Sequence, residues 1–378
     1  MKNIDYCFVY FNGRLDKLSD KSNRPSEFYY GYQYSLEQGN KAEILEFERT
    51  LNKTTPISIF TQKILFIFQY FILKVFKFQY DFSILYKKEH WKTLKNSKNV
   101  IITNNRIAHS LLPFLIYNKL KNINTNTTVI AMGLFNSSST NKIILSVHHF
   151  LHKIMLRNID NIVFLGESEY KLAQTKFLKF KEKINFIPFG IDTNFWHKKD
   201  YEYEKKDYVL FIGNDSNRDF DFLELLINKN PDKYFIIVSE NPTASNIKTR
   251  NSKVIKGSWN KNIVDDTFIR KLYANAKVTI VPLNDSIQPS GQSVTLQSMS
   301  MQTPVIITKT EGFWKKDDFL HLENIYFIKD NNLNEWSEAI NSMFEDPSLH
   351  KHIATNAHKL VLDKFDVNMF NKKLFELK

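Results

Sequence analysis

The chain contains one cysteine, Cys7, and this shortage excludes a disulfide framework and fits a reducing compartment. The sequence predicts no secretory leader, because Asp5 interrupts the apolar part of the N-terminus. No short-period repeat or low-complexity segment occurs. No two or three histidine, cysteine or aspartate residues stand at metal-ligand spacing within one loop. We therefore expect a cytoplasmic protein that requires no metal.

The composition is that of a soluble globular protein, with 43% hydrophobic and 24% charged residues. A length of 378 residues suits two domains of roughly 150–200 residues each. The net charge of +12 favours anionic partners such as phosphate-bearing substrates or anionic lipid, or else reflects a biased genome. Nucleic acid is not an expected partner, because no basic stripe carries an exposed base-stacking motif.

Apolar runs of strand length alternate with helical patterns, which is typical of parallel sheets built from βαβ units. The alternation pauses after residue 190 in a polar, aperiodic stretch and then resumes. We predict an α/β protein with two similar domains in tandem and a cleft between them. The predicted bounds are 1–190 for the first domain, 191–207 for a linker and 208–378 for the second domain, whose final helix returns to the first.

The segment 61–95 is dense in aromatic residues and lysine. On a helix at about 100° per residue its few polar side chains fall on one narrow side, and the rest is apolar. Lys74 and Lys77 interrupt the apolar run after about ten residues, too few to span a bilayer. The pattern favours a helix lying in a membrane interface, with Phe71, Lys74, Phe76 and Lys77 as contacts. The alternative is a core helix of the first domain.

In open α/β sheets, ligands bind at the carboxyl ends of the strands. Gly13 follows the first strand, where a backbone can approach a ligand closely. Gly213 and Asn214 follow the first strand of the second domain and form a tight turn. Arg218 in the same loop offers a planar fork of donors suited to phosphate oxygens, although an exposed salt bridge is its plainer role.

The stretch QPSGQSVTLQSMSM (288–301) reads as a turn that opens a helix of small residues. Ser290 or a neighbour caps this helix, and the backbone N–H groups around Gly291, Gln292 and Ser293 face the cleft. Such a helix N-terminus with a glycine binds phosphate groups well. Gln297 lies about one and a half turns further on, where an amide can bond a ribose hydroxyl.

Several segments stand in an order and spacing that occur together in one family. They are NIVFLGESEYKLAQ (161–174), INFIPFGIDTNFW (184–196), YVLFIGN (208–214), VIKGSW (254–259), IRKLYANAKVTIVPL (269–283), SMQTPVIITKTEGF (300–313) and the tail 340–365. The set resembles the retaining GT-B fold glycosyltransferases of the family 4 type. The resemblance implies two tandem Rossmann-like domains, with a nucleotide sugar bound by the second and an acceptor by the first.

The chain departs from that family at two acidic positions. The family carries two glutamates eight positions apart across this loop and helix. Neither of the matching positions in this chain is acidic. The second, which binds ribose in the family, matches Gln297. The first, near the transferred sugar, falls on Pro289, beside Gln288 and Ser290. The resemblance therefore implies a donor diphosphate site whose sugar end has been rebuilt.

The resemblance also points to two further side chains in the cleft. His109 follows the third strand at the cleft-facing end, where the family often places a polar residue against the transferred sugar; a helix-surface histidine is the alternative. The resemblance also implies that Glu311 faces the cleft near the donor sugar. We assign catalytic roles to His109 and Arg218 on this basis.

Three functions compete. The leading one is a hexosyl-type transferase that moves a sugar from a nucleotide sugar, with retention, to a polysaccharide or glycolipid acceptor at an anionic membrane surface. Its place would be the cytoplasmic face of the cell membrane. The alternatives are a GT-B-like scaffold without activity, favoured by the missing carboxylates, and a nucleotide-sugar epimerase, which does not need the basic aromatic segment.

Overall fold

We describe a computed structural model of the chain. It describes residues 2–11, 13–19, 24–47, 58–78, 80, 81, 83, 87–136, 139–198, 207–257 and 264–377.

The first domain is built on a six-stranded parallel sheet in the order β2-β1-β3-β4-β5-β6. The strands are β1 (Ile4–Phe11), β2 (Ala42–Phe47), β3 (Ser97–Ile102), β4 (Asn126–Ala131), β5 (Asn161–Phe164) and β6 (Ile184–Phe186). They are runs of β-branched and aromatic residues buried on both faces, as in β1, where Cys7, Phe8 and Val9 are wholly buried. Helices cover both faces because every strand-to-strand connection must cross over the sheet.

Some helices of this domain begin at polar side chains that cap them. The helices of the domain are α1 (Arg14–Ser19), α2 (Tyr32–Glu37), α3 (Ile59–Phe76), α4 (Lys88–Asn96), α5 (Asn105–Ser110), α6 (Leu112–Leu120), α7 (Lys142–Asn158) and α8 (Glu167–Lys176). Asn104 accepts a hydrogen bond from the Arg106 backbone at α5, and Asn141 does the same for Ile143 at α7. These caps fix where α5 leaves the sheet, and α5 carries His109.

The second domain repeats the plan with a six-stranded parallel sheet in the order β12-β11-β10-β7-β8-β9. Its strands are β7 (Tyr208–Ile212), β8 (Tyr234–Val238), β9 (Ser252–Ile255), β10 (Val278–Val281), β11 (Val305–Thr308) and β12 (Tyr326–Ile328). Its helices are α9 (Phe220–Lys229), α10 (Pro242–Asn246), α11 (Asp266–Asn275), α12 (Gln292–Ser300), α13 (Leu333–Glu345), α14 (Pro347–Lys364) and α15 (Val367–Phe375). The order places β7 and β10, and the loops that follow them, side by side at the sheet centre.

Two chain crossings join the domains. Ile191 pairs with the segment before α15 by hydrogen bonds to Phe365 O (2.9 Å) and from Val367 N (2.8 Å). Helix α15 then packs against the first domain, and the Phe375 and Tyr6 rings lie 4.6 Å apart. Residues 199–206, which are eight of the 17 residues of the predicted linker, lie outside the described residues.

Candidate active site

Helix α12 begins in the cleft at a residue that only glycine suits well. Gly291 is its N-cap with φ 78°, and no described side chain caps the helix. A Cβ on Gly291 would lie 2.9 Å from Val281 Cγ1 and 3.2 Å from Arg218 Nη1. Of the predicted caps, Ser290 or a neighbour, the neighbour Gly291 is the N-cap, and the Ser290 hydroxyl accepts from Asn217 Nδ2 (2.7 Å). The first N–H groups of α12, at Gln292 and Ser293, are therefore free of side-chain capping.

Arg218 lies against this helix N-terminus and is not the exposed ion pair that its sequence context allowed. Its side chain is 4% exposed. No described residue accepts a hydrogen bond from its buried Nε and Nη1, and Nη2 lies 3.6 Å from Asp215 Oδ2. A Cβ on Gly213 would collide with Arg218 Nε, so this glycine makes room for the guanidinium. A buried cation with free donors favours an anionic ligand.

A cavity of about 140 Å³ lies between these donors and the first domain. It is lined from the second domain by Asp215, Arg218, Gln288, Pro289, Ser290, Gly291, Gln292 and Ser293, and from the first by Phe28, Tyr30, Met132, Leu165 and Phe189. The cavity thus combines hydrogen-bond donors on one wall with aromatic and aliphatic side chains on the other. This is the usual makeup of a small-molecule site.

The loop before α12 contacts the first domain directly. Gln288 Oε1 accepts from Asn136 Nδ2 (2.7 Å), and Gln292 Nε2 donates to Leu165 O (2.8 Å). A Cβ on Gly133 would come within 2.7 Å of Gln288 Oε1, and Gly133 already has φ 77°, so only glycine fits there. The two domains therefore meet at the loop before α12.

A second cavity of about 460 Å³ adjoins the first, because Met132 and Gln288 line both. His109 lies in its wall and is 2% exposed, and no described residue bonds its buried Nε2. Burial lowers the pKa of His109 to about 4, so its imidazole is neutral at pH 7. His109 thus lines a cavity, and the alternative of a helix-surface histidine is wrong.

The neighbouring histidines on α7 pack around the same cavity. His148 donates to Phe76 O (2.7 Å), and the His152 ring lies 5.1 Å from that of His109. His149 instead stacks on Phe177 at 4.9 Å. Within the described ranges, no group of three or more histidine, cysteine or acidic residues could hold a metal ion.

Part of the chain matches a known protein family. Residues 206–346 match the family described as glycosyl transferases group 1. A comparison with curated protein sequences finds no match. The matched range contains Arg218, the loop before α12 and α12 itself, so the second domain carries the family resemblance.

Solved structures extend the likeness to the whole chain. HepE of Anabaena in complex with UDP has a TM-score of 0.62 at 14% identity, with 99% of each chain covered. Sucrose-phosphate synthase of Thermosynechococcus elongatus has a TM-score of 0.67 at 13% identity, covering 99% of this chain and 98% of that one. A glycosyltransferase from Rickettsia africae has 0.63 at 15%, covering 98% and 97%. The chain has the GT-B fold. The predicted fold class and the divergent resemblance are confirmed.

Within this GT-B chain, Gln297 is not brought to either described cavity. It is 6% exposed, accepts from the Tyr273 hydroxyl (3.1 Å) and donates through Nε2 to Glu27 Oε1 (2.9 Å). Glu27 is wholly buried and also accepts from Trp196 Nε1 (2.8 Å). Burial, the largest effect, raises the pKa of Glu27 to about 7 against these donors. Gln297 therefore ties the second domain to the first through a buried carboxylate.

Three other candidates lie beside the cleft in supporting positions. Gly13 has φ 102°, and its N–H points at Glu46 Oε2 (3.3 Å), which occupies the start of α1. Asn214 bonds Gly257 O (2.9 Å) and accepts from Glu240 N (2.6 Å), so it braces the ends of β7, β8 and β9. Glu311 is exposed, and its backbone O accepts from the Ser168 hydroxyl (2.7 Å). None of these three lines a described cavity.

The sequence reasoning missed two buried carboxyl groups, Glu27 and Glu169. Glu169 Oε2 accepts from Gly133 N (2.9 Å), and burial raises its pKa to about 7. It thereby holds the loop that carries Gly133 and Asn136 at the cavity rim. Its place at the start of α8, directly after β5, was a usable signal, because acidic residues favour the first turn of a helix. Glu27 follows no strand directly and offered no such signal.

Helix α3 stands away from both cores. Its apolar side chains face solvent, with Phe60 71%, Ile67 67% and Phe71 54% exposed, while Gln62 is wholly buried. The core-helix alternative is therefore wrong. By length and composition the helix could cross a membrane, and 6% of it is buried. The sequence-based view that its apolar run is too short to span is thus not supported. Lys74 and Lys77 are exposed at its end, and Phe76 is half-buried.

Proposed function

We propose that this protein transfers a hexosyl unit from a nucleotide-sugar donor, with retention, to an acceptor at a membrane surface. The observation that carries the proposal is the buried guanidinium of Arg218, which lies beside the uncapped N-terminus of α12. Two sets of free donors converge on one small cavity at the carboxyl end of a parallel sheet. A nucleoside diphosphate supplies the negative oxygens that such donors need.

The same donors account for catalysis of a transfer reaction. When the glycosidic bond to the donor breaks, negative charge develops on the departing diphosphate. Arg218 and the N–H groups at Gly291, Gln292 and Ser293 would stabilise this charge from fixed positions in the wall of the cavity. We propose that this arrangement works without a metal.

His109 supplies the polar contact on the acceptor side. Its neutral imidazole presents a buried Nε2 lone pair to the larger cavity, and this atom can accept a hydrogen bond from a sugar or acceptor hydroxyl. Gln288 lies between the cavities and bonds Asn136 across the cleft. We place the reacting centre at this boundary, with the donor on the Arg218 side and the acceptor on the His109 side.

Retention and hexose are the finer parts of the proposal. Retention follows from the resemblance to retaining family 4 enzymes. HepE has been solved with UDP-glucose, which makes UDP-hexoses the first donors to test. The coupling constant of the anomeric proton in the isolated product, read by NMR, distinguishes retention from inversion.

Membrane association is proposed from α3. Its exposed apolar side chains would enter the lipid interface. Lys74 and Lys77 would face anionic headgroups, and the attraction of each lysine would contribute about 1 kcal/mol to the binding free energy. A basic chain of net charge +12 suits the anionic inner face of a cell membrane. The protein would act there as a peripheral enzyme on a glycolipid or growing polysaccharide.

A thermal-shift screen against UDP, GDP, ADP and their sugars tests the donor site. A ligand at 100 times its Kd stabilises the folded state by about 2.7 kcal/mol. Arg218→Gln should weaken nucleotide binding by about 1.5–3 kcal/mol, the range for hydrogen bonds to charged groups. Arg250→Gln, at an exposed position of the same domain, is the matched control. Unchanged nucleotide affinity in folded Arg218→Gln would remove Arg218 from the site.

A GT-B-like scaffold without activity is the second candidate, and one observation favours it. Where the resembled family carries glutamates, this chain has Pro289, which packs on Gly166, and the buried Gln297. Tight binding of a nucleotide sugar, with neither transfer nor slow hydrolysis of the donor, would support the scaffold over the enzyme.

A further inference from the structure

Acidic residues are scarce in one long segment of the chain. Residues 49–159 contain 16 lysines and arginines and two acidic residues, Asp81 and Glu89. The net charge of this segment, +14, exceeds the +12 of the whole chain, so the rest of the chain is slightly negative. Basic residues are about as frequent in the rest of the chain. A genome that favours lysine therefore does not explain the segment, because its distinguishing feature is the shortage of carboxylates.

The helices α4 to α7 of this segment lie on one face of the first sheet. Leu94 of α4, Leu115 of α6 and Leu156 of α7 share one core with Val9 of β1. Phe8, the neighbour of Val9 in β1, points to the opposite face and belongs to the core that includes the second domain. The outer sides of α4 to α7 therefore face away from the second domain.

The outer side of α7 combines apolar side chains with cations. Ile143 is 74% and Phe150 61% exposed, and Lys142, Lys153 and Arg157 are also exposed. At about 100° per residue these five positions lie on one side of the helix. Helix α7 contains no aspartate or glutamate. Apolar side chains flanked by cations are typical of a helix that lies against an anionic membrane interface.

Helices α6 and α3 adjoin α7 and have the same character. Helix α6 packs beside α7, and its exposed side carries Ile116, Lys119 and Leu120 without an acidic residue in the helix. The end of α3 is fixed to α7, because His148 donates to Phe76 O (2.7 Å). The exposed apolar helix α3 thus meets the basic helical layer and is not an isolated feature.

We propose that the outer sides of α6 and α7 form a second membrane contact beside α3 and hold the first domain against an anionic lipid surface. The inference rests on the membrane association proposed above and names the surface that sets the orientation of the chain. A second copy of this chain does not suit the same surface, because a symmetric contact would bring two positively charged layers together.

The orientation bears on the acceptor. The larger cavity lies at the edge of this layer, where Lys77 at the end of α3, His109 of α5 and His148 of α7 line its wall. With the layer against the membrane, this cavity is next to the lipid headgroups. An acceptor embedded in the membrane then reaches His109 without leaving the lipid surface.

Co-sedimentation with lipid vesicles tests the contact without donor or acceptor. The apparent Kd is measured with vesicles of phosphatidylglycerol and phosphatidylcholine in equal parts. The triple variant Lys142→Gln, Lys153→Gln and Arg157→Gln should raise this Kd about 100-fold, since each cation near an anionic surface contributes about fivefold. Vesicles of phosphatidylcholine alone should bind the unmodified chain more weakly.

The matched control for the charges lies in the second domain. The triple variant Lys229→Gln, Lys248→Gln and Arg250→Gln removes the same number of exposed cations and should bind vesicles like the unmodified chain. Equal losses of affinity in the two triple variants would show that net charge alone attracts the chain, and would overturn a contact at α7.

An apolar pair separates a membrane from a soluble anionic partner. Ile143→Ser combined with Phe150→Ser should raise the Kd about tenfold or more, because both side chains lose their burial in the lipid interface. Leu225→Ser with Leu320→Ser, at positions 54% and 55% exposed in the second domain, is the matched control. If the charge triple weakens binding and the apolar pair does not, the surface suits a soluble polyanion and the membrane contact is overturned. If the serine pair does not fold, Ile143→Ser alone decides.

The outcome is separable from that of the proposed function. Vesicle binding that is lost in Phe66→Ser with Ile67→Ser, but unchanged in both α7 variants, would retain α3 as the anchor and reject this second contact. No vesicle binding by the unmodified chain would overturn both contacts and leave the donor test untouched. The expected losses in both α7 variants, in a chain that binds no nucleotide, would support the surface and reject the transferase.

Discussion

Replacing Gln297 by glutamate tests the interdomain network most sharply, although it restores the residue type of the resembled family. The new carboxylate would lie about where Gln297 Nε2 now donates to Glu27 Oε1, at 2.9 Å, and both side chains are buried. A donor would thus be replaced by a second acid. Two carboxylates that share a buried site cannot both ionise at low cost, and the pKa of one rises strongly.

The size of the effect depends on pH, and its sign follows from Glu27. Its pKa in the folded chain is raised to about 7, above the unfolded value, so the neutral form stabilises the fold below about pH 4.5. That stability is lost as pH rises through 7. In Gln297→Glu the second of the two carboxyl groups to ionise should have a pKa that is higher still. Two charges 4 Å apart repel by about 4 kcal/mol at an effective dielectric of 20. At pH 5 the two carboxyl groups share one proton, so the free energy of unfolding falls by only about 1 kcal/mol.

Thermal melting at pH 5 and pH 8 measures the difference. The repulsion of about 4 kcal/mol between the two carboxylates should lower the melting temperature by about 10 °C at pH 8. At pH 5 the melting temperature should fall by a few degrees. The double exchange Glu27→Gln with Gln297→Glu is the matched control, because it restores one amide facing one carboxylate. A loss that is equal at both pH values, or no rescue by the double exchange, would refute the reasoning.

Two further changes probe other parts of the chain. Gly291→Ala should destabilise the second domain by about 1–2 kcal/mol, because φ is 78° and the new Cβ meets Val281 Cγ1 at 2.9 Å; an unchanged urea midpoint would contradict this. Phe66→Ser combined with Ile67→Ser should leave the melting temperature within a few degrees, since these side chains are 56% and 67% exposed. The same pair should abolish sedimentation with phosphatidylglycerol vesicles, which in the unmodified chain should weaken as salt rises.

The strands were predictable from the sequence because each is an apolar run bounded by polar turns. The apolar runs 4–11 and 42–47 coincide with β1 and β2, and the run 208–213 extends one residue beyond β7. Such continuous apolar runs are stable as strands of a sheet that is covered on both faces, so the local sequence pattern and the tertiary structure agree. Helix α3 was harder, since its pattern suits a core helix and an exposed apolar helix equally. Only the position of the first domain's core, which leaves α3 outside, decides between them.

The cavity wall formed by Arg218, Gly291 and the start of α12 was also predictable, because each part is visible in a short stretch of sequence. These parts are a glycine at a helix start and an arginine in the loop after a strand. The environment of Gln297 was not, because its partner Glu27 lies 270 residues away in a short 3₁₀ turn of the other domain. From the sequence, a glutamine at this position reads as a weakened ligand. In the folded chain it is the side chain that a buried carboxylate at Glu27 requires, since Glu27 already collects donors from Trp196 and from the Asp192 backbone. The loss of acid at residue 297 and the presence of acid at residue 27 are thus one feature, and changing either alone should cost more than exchanging both.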